Sequence, residues 1–113
     1  MRIINKIKGA VLAEDVIIAN TIFKRAKGLL GKKEFKKGQA LILKPGNSIH
    51  TFFMYFPIDV LFLDKNNRVI KALSSLKPFS FTAIYFKAHL VIELPAGTLE
   101  SSSTQEGDTL ILE

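Results

Sequence analysis

The polar residues that are the strongest candidates for a catalytic or binding role lie in the longest apolar run of the sequence, residues 48–64. His50 and Asp59 stand there among aromatic and aliphatic side chains. An imidazole titrates near neutral pH and can serve as a general acid or base. Burying either side chain without a partner would cost several kcal/mol, so each is expected to have a hydrogen-bonding neighbour from elsewhere in the fold. We predict Arg25 and Glu93 as these neighbours.

Arg25 and Glu93 lie on two further predicted elements. Arg25 flanks the apolar stripe of a predicted helix, from which its guanidinium could bind a carboxylate with two hydrogen bonds. Glu93 lies near the end of a predicted strand, just before Pro95. A turn at Pro57 could bring the four residues to the entrance of one pocket, with aromatic walls from Phe52, Phe53 or Phe56. The candidate binding cluster is Arg25, His50, Thr51, Asp59 and Glu93.

A purely structural interpretation of the same residues stays open. Asp59 would then be a buried carboxylate that holds the turn at Phe56 and Pro57, and His50 a satisfied structural group. Arg25 and Glu93 would be charges at the surface. No catalytic residue is assigned on sequence alone.

The remaining motif searches are negative. The chain has no cysteine and two histidines, so a transition-metal site is not expected. It contains none of the short motifs of phosphate-binding loops, dinucleotide-binding folds, serine hydrolases or zinc peptidases. No cofactor is predicted.

Composition and charge indicate one folded domain, residues 1–113, with a net charge of +6. The lysines are concentrated in residues 24–44, which we interpret as a solvated face. Nucleic-acid binding is the less favoured alternative, because few aromatic residues or arginines interleave with them. No apolar run reaches the roughly 20 residues of a membrane helix, and no signal peptide is evident. A soluble, cytoplasmic protein is expected, unless a leader has been removed.

One helix is predicted, over Thr21–Leu30. Thr21 is a suitable N-cap, and Gly31 a suitable C-terminal stop. Its apolar stripe, which should pack on a sheet containing Ile58–Asp64, consists of Ile22, Phe23, Ala26, Leu29 and Leu30.

Short strands separated by turn residues account for most of the remaining chain. They are predicted at 2–8, 11–19, 40–43, 58–64, 68–73, 89–94 and 109–112. Asp64–Asn67 should form a hairpin turn, 74–81 a loop, and 99–106 at most one helical turn. The aromatic residues Phe79, Phe81, Tyr85 and Phe86 are expected mostly in core or rim packing. The predicted fold is mainly β (α+β): a compact, mostly antiparallel β-barrel-like or sandwich domain with one main helix packed on the sheet.

Five motifs in the same order and spacing resemble a prokaryotic family known only as domain of unknown function 192. They are residues 25–31, 49–54, 56–64, 93–97 and 107–108. Tyr55 stands where a basic residue is frequent in that family, and Gly46 where a cysteine can occur. The resemblance implies a compact, mainly β fold and groups Arg25, His50, Asp59 and Glu93 as polar members of the motifs. It implies no reaction, substrate or cofactor.

Three hypotheses follow for the function. The favoured one is a non-enzymatic binding or accessory module with a polar pocket for a small polar ligand or a protein partner. The alternative is a hydrolase-like enzyme acting on a small polar or sugar-like substrate, with His50 or Asp59 as acid–base. The third is nucleic-acid binding through the lysine-rich region.

Overall fold

One curled sheet forms the frame of the molecule. The computed structural model describes residues 1–21, 24, 28, 29 and 31–113. The strands within them are β1 (Ile3–Asn5), β2 (Ala10–Ala19), β3 (Gly38–Leu43), β4 (Ile58–Leu63), β5 (Val69–Leu76), β6 (Leu90–Pro95) and β7 (Leu110–Leu112). A short helix, α1 (Thr98–Ser102), connects β6 towards β7.

The strands are joined in the order β5-β4-β6-β3-β2-β1-β7. Neighbours are antiparallel except for the parallel pair β2 and β3. An antiparallel bridge between Arg68 and Thr109 brings the two outermost strands together at one corner. The sheet is therefore a curled half-barrel, which confirms the predicted mainly β, mostly antiparallel, barrel-like fold.

Two hydrophobic cores cover the two faces of this sheet. The inner core receives side chains from every strand and from Leu99 of α1, including Ile3, Leu61, Ile92 and Leu110. The outer core contains the opposite side chains of β3, β4 and β6, together with Ile49, Met54 and Leu29 from connecting segments. Because both cores are buried, every residue of β4 and of β6 is buried.

Strand β4 alternates between the cores as its sequence predicts. Ile58, Val60 and Phe62 belong to the outer core, and Leu61 and Leu63 belong to the inner core. The hairpin that follows is also confirmed: Asp64 Oδ1 accepts the N–H groups of Asn66 and Arg68, and Asn67 has a φ of 61°.

Strand β5 is longer than the sequence predicts. The predicted loop began at Ser74, but β5 continues to Leu76, which pairs with Ile58 of β4. A β-bulge absorbs Ser75, whose φ is 50°. The sequence prediction ended the strand too early because a bulge has no clear local signature in Ser74 and Ser75.

Most of the predicted helix Thr21–Leu30 falls on residues outside the described set, including Ile22, Phe23, Ala26 and Leu30 of its stripe. Thr21 and Lys24 fit the prediction, but Gly28 and Leu29 lie in a turn, with a φ of 46° at Gly28, so the predicted helix does not include these two residues. Thr21 Oγ1 accepts the N–H of Lys24 at 3.1 Å, as an N-cap does, and Gly28 N–H donates to the Lys24 carbonyl. Leu29 is buried in the outer core, and Gly31 has a φ of 77°.

No helix in the described part of the chain is long and apolar enough to cross a membrane.

Candidate functional site

Asp59 is completely buried in the inner face of the sheet and is bound by backbone groups. Its Oδ1 accepts the Ser75 N–H at 2.8 Å, and its Oδ2 accepts the N–H groups of Gly97 at 3.1 Å and Leu99 at 2.9 Å. The Gly97 and Leu99 groups belong to the first turn of α1, which has no capping side chain of its own. Asp59 therefore holds the β5 bulge and caps α1 from a distant strand.

Thr51 is also buried, and its hydroxyl joins two loops. Its Oγ1 donates to the carbonyl of Lys77 at 2.6 Å and accepts the N–H of Ser80 at 2.9 Å. Its backbone N–H and carbonyl bond to Ser80 and Phe79. Segments 47–56 and 77–86, which we call the crossed loops, are thereby fixed against each other.

His50 lies at the surface of the crossed loops. It forms an antiparallel bridge with Phe81, and its Nδ1 accepts the N–H of Phe52 at 3.2 Å. Its ring lies 5.2 Å from the ring of Phe52, centroid to centroid. The imidazole is therefore exposed, with one nitrogen bonded to its own loop.

Glu93 occupies the outer face of β6, where its backbone pairs with Leu41 on one side and Val60 on the other. It is 3% exposed. Its Oε2 has no hydrogen-bond partner within the described residues. Burial raises the pKa of the Glu93 carboxyl to about 8, so the group is protonated at neutral pH.

A cleft of about 300 Å³ lies beside Glu93 on the same face. Leu41, the β3 neighbour of Glu93, forms part of its wall. Its polar lining residues are Asp15, Lys24, Lys32 and Gln39. The cleft therefore has a mixed polar and apolar lining and includes the strand neighbour of a buried, protonated acid.

The predicted cluster does not converge in the way that the sequence analysis expected. Asp59 and Glu93 lie on adjacent strands but on opposite faces, because Asp59 pairs with Leu94 and Glu93 with Val60. Among the described residues, the partners of Asp59 are backbone N–H groups and not charged side chains. Arg25 lies outside the described residues, so its pairing with Glu93 stays a prediction.

The crossed loops expose a group of aromatic side chains that sequence reasoning placed in core or rim packing. Phe53 is 70% exposed, Phe79 65%, Phe81 77% and Phe86 85%. Tyr85, by contrast, packs on Phe62 with ring centroids 4.5 Å apart, as expected of a core residue. We call the exposed group the apolar loop surface: Phe52, Phe53, Tyr55, Phe79, Phe81, Ile84 and Phe86.

The exposure follows from the anchoring of the crossed loops. Met54 and Ile49 face the outer core, and Thr82 Oγ1 accepts the Ile49 N–H at 3.0 Å. With Ile49, Thr51 and Met54 buried in this way, their neighbours Phe52 and Phe53 are left exposed. The many phenylalanines in these loops were the available sequence signal for an aromatic surface. The sequence pattern alone, however, does not show which of the rings are exposed to solvent.

A further buried polar group lies at the other end of the inner core. The Asn5 side-chain nitrogen donates to Thr104 Oγ1 and Asp108 Oδ2, each at 3.0 Å. Burial acts to raise the pKa of Asp108, but hydrogen bonds from Asn5 and Gln105 and the charge of Lys8 outweigh it and lower that pKa overall. These contacts join β1 to the loop before β7. No group of three or more possible metal ligands is found among the described residues.

Comparison with known proteins gives a family but no activity. Residues 3–112 match the model of DUF192, an uncharacterized ACR family, in agreement with the resemblance seen in the sequence. A UPF0127 protein of Pyrococcus horikoshii is 38% identical, with 96% of each chain covered. A UPF0127 protein of Thermococcus sibiricus is 36% identical over 96% of this chain and 72% of its own. A crystal structure of a protein of unknown function from Novosphingobium aromaticivorans has a TM-score of 0.84 at 19% identity, with 98% of this chain and 82% of that chain covered.

Replacing Asp59 tests its role as an anchor. Asp59→Ala should lower the free energy of unfolding by about 2–4 kcal/mol, because the buried Leu99 N–H and the partly buried N–H groups of Ser75 and Gly97 lose their acceptor. Urea denaturation of the purified variant measures this. Asp15→Ala, at an exposed carboxylate on β2, is the matched control and should change stability by less than about 0.5 kcal/mol. Equal, small effects of both substitutions would contradict the anchoring role.

The raised pKa of Glu93 predicts a pH dependence of stability. The unfolded chain releases this proton near pH 4.5 and the folded chain near pH 8. Between these values the unfolded state binds fewer protons, so stability falls as pH rises, by up to about 1.4 kcal/mol per pH unit. Glu93→Gln keeps the shape but cannot ionise, so this fall should be absent.

Urea denaturation near both ends of the pH window would measure the difference between the wild type and Glu93→Gln. Glu106→Gln, at an exposed position, should retain the wild-type dependence. Parallel pH profiles for the wild type and Glu93→Gln would show that Glu93 ionises normally in the fold.

Proposed function

We propose that this chain, which belongs to the DUF192 family, is a non-enzymatic binding module that engages its partner through the apolar loop surface. The observation that carries the proposal is the exposure of Phe53, Phe79, Phe81 and Phe86 on loops that are otherwise firmly anchored. Phe52, Phe53 and Phe79 are in ring contact, and clustered exposed apolar side chains of this kind are uncommon on a protein without partners and mark interaction sites.

The structure around these side chains argues against a packing role for them. The same loops already supply Ile49, Met54 and Tyr85 to the outer core. Three of the exposed rings contact each other: Phe79 lies 6.5 Å from Phe52 and 5.9 Å from Phe53, centroid to centroid. Aromatic anchors held ready on a rigid support lose little conformational entropy on binding, which favours recognition.

The state of the predicted acid–base groups supports binding over hydrolysis. A general base needs free lone pairs within reach of a substrate. Both Asp59 oxygens accept backbone hydrogen bonds in the inner face, and the Thr51 hydroxyl is bonded between two loops. His50 has no described carboxylate among its hydrogen-bond partners; its Nδ1 accepts from Phe52.

Site-specific photo-crosslinking tests the proposal without assuming the partner. A benzophenone amino acid at Phe53 or Phe86 should give adducts in irradiated cells, identified by mass spectrometry as protein, lipid or another class. Val11 and Ile17 are 48% and 52% exposed on β2 and provide matched control positions. The adducts should disappear when Phe79→Ser and Phe81→Ser are combined with the crosslinker at Phe53.

The stability of these variants provides the control. Phe79→Ser and Phe81→Ser should leave the free energy of unfolding within about 0.5 kcal/mol of the wild type, because both rings are exposed. Met54→Ala in the same loop should cost about 2–5 kcal/mol, because Met54 is buried. The proposal fails if crosslinking from the loops and from β2 is equal, or if the exposed phenylalanines prove to be as important for stability as Met54.

A further inference from the structure

We propose that the apolar loop surface docks on the face of a lipid bilayer that carries anionic headgroups. The inference rests on the proposed binding role of this surface and adds the chemical class of the partner. Three observations carry it: the shape of the aromatic group, the charge of the surrounding chain, and two basic clefts beside the loops.

The shape of the aromatic group fits insertion into an apolar layer. Phe53 and Phe79 meet edge to face, with an interplanar angle of 71°. Phe52 and Phe79 are tilted by 34°. Ile84 adds an aliphatic side chain that is 54% exposed. Rings in mutual contact form an apolar wedge, whereas nucleic acids need separate flat faces on which bases can stack. Apolar side chains of this kind bury into the headgroup and acyl boundary of a membrane.

The two sequence segments that contain the crossed loops carry basic residues and no acidic residue. Residues 35–58 and 65–92 contain no aspartate or glutamate. Lys77 and Lys87 border the second loop, one at each end, and both are exposed. Lysines at the edge of a membrane-inserted surface are attracted to anionic lipids, and each contributes substantially to binding. An acidic surface is therefore the complementary partner.

Two adjoining clefts contain further basic residues, starting with Lys87, which follows Phe86 in the chain. The first, of about 390 Å³, is lined by Lys65, Lys87 and His89. The second, of about 340 Å³, shares Lys65 and His89 and adds Lys44. Asp64, the acid in the first cleft, uses Oδ1 to accept the N–H groups of Asn66 and Arg68. In the proposed docking, the ammonium groups of Lys44, Lys65 and Lys87 bind lipid phosphates.

Vesicle co-sedimentation of the full chain tests the inference. The wild type should bind vesicles of phosphatidylcholine mixed with phosphatidylglycerol and bind pure phosphatidylcholine at least tenfold more weakly, by about the amount expected for two or more lysines. Phe53→Ser and Phe86→Ser should each reduce binding about tenfold, because each ring would leave the apolar layer. Lys77→Gln and Lys87→Gln should each reduce it about fivefold.

Two substitutions outside the crossed loops serve as controls. Val11→Ser and Lys6→Gln remove an exposed apolar side chain and an exposed charge outside the crossed loops, and both should leave vesicle binding unchanged. Circular dichroism and urea midpoints would show that every variant is folded. An equal loss with Lys6→Gln and Lys87→Gln would mean diffuse attraction to charge and would overturn the inference.

Other partners give different results in the same experiments. Absence of binding to either vesicle, together with protein adducts from Phe53 and Phe86, would overturn the lipid inference while leaving the proposed binding role standing. Binding to single-stranded nucleic acid that Phe53→Ser abolishes, with no binding to vesicles, would overturn it in favour of a nucleic-acid partner. Failure of the loops to crosslink to anything would remove the proposed function itself.

Discussion

The burial of β4 and β6 on both faces is the constraint on which the rest of the structure depends. Every side chain in these two strands is buried, so a polar group among them must find its hydrogen bonds in other segments. Asp59 meets this requirement by binding the backbone of the β5 bulge and of α1. One buried carboxylate thus fixes the positions of two elements that follow it in the chain.

Glu93 is the exception to this rule. Within the described residues its Oε2 is unpartnered, and the carboxyl avoids an uncompensated charge by remaining protonated to about pH 8. Such a group lowers stability at alkaline pH and does not help to hold the fold together. Buried, perturbed acids are frequent at functional sites, and a cleft on this face includes Leu41, the β3 neighbour of Glu93. The predicted pairing with Arg25 would give it a partner.

Local patterns in the sequence were sufficient to predict much of the frame. Alternation identified the two faces of β4, and Asp64–Asn67 identified its hairpin, because both signals are contained in a few neighbouring residues. The burial of Asp59 was also predictable from its apolar surroundings. The hydrogen-bond partners of Asp59 were not predictable from the sequence. Ser75, Gly97 and Leu99 are distant from Asp59 in the chain, and they bind it through backbone N–H groups, which every residue except proline has.

The exposed aromatic residues were also not predictable from the sequence. Hydrophobicity predicts burial for Phe79, Phe81 and Phe86, but the outer core is already filled by residues such as Met54 and Tyr85. Thr51 fixes the crossed loops in the register that leaves the phenylalanines outside. Exposure therefore depends on how many apolar side chains one core can hold, which the sequence pattern of a single segment does not contain.

The chain contains no tryptophan, so a single Phe53→Trp substitution gives a fluorescence signal from the apolar loop surface alone. The most direct measurement is its emission and its quenching by brominated lipids in anionic vesicles, with Ile17→Trp as the reference on β2. If the apolar loop surface inserts into the bilayer, we expect a blue shift and quenching for Phe53→Trp and neither for Ile17→Trp. An unchanged emission of Phe53→Trp with vesicles present would contradict it.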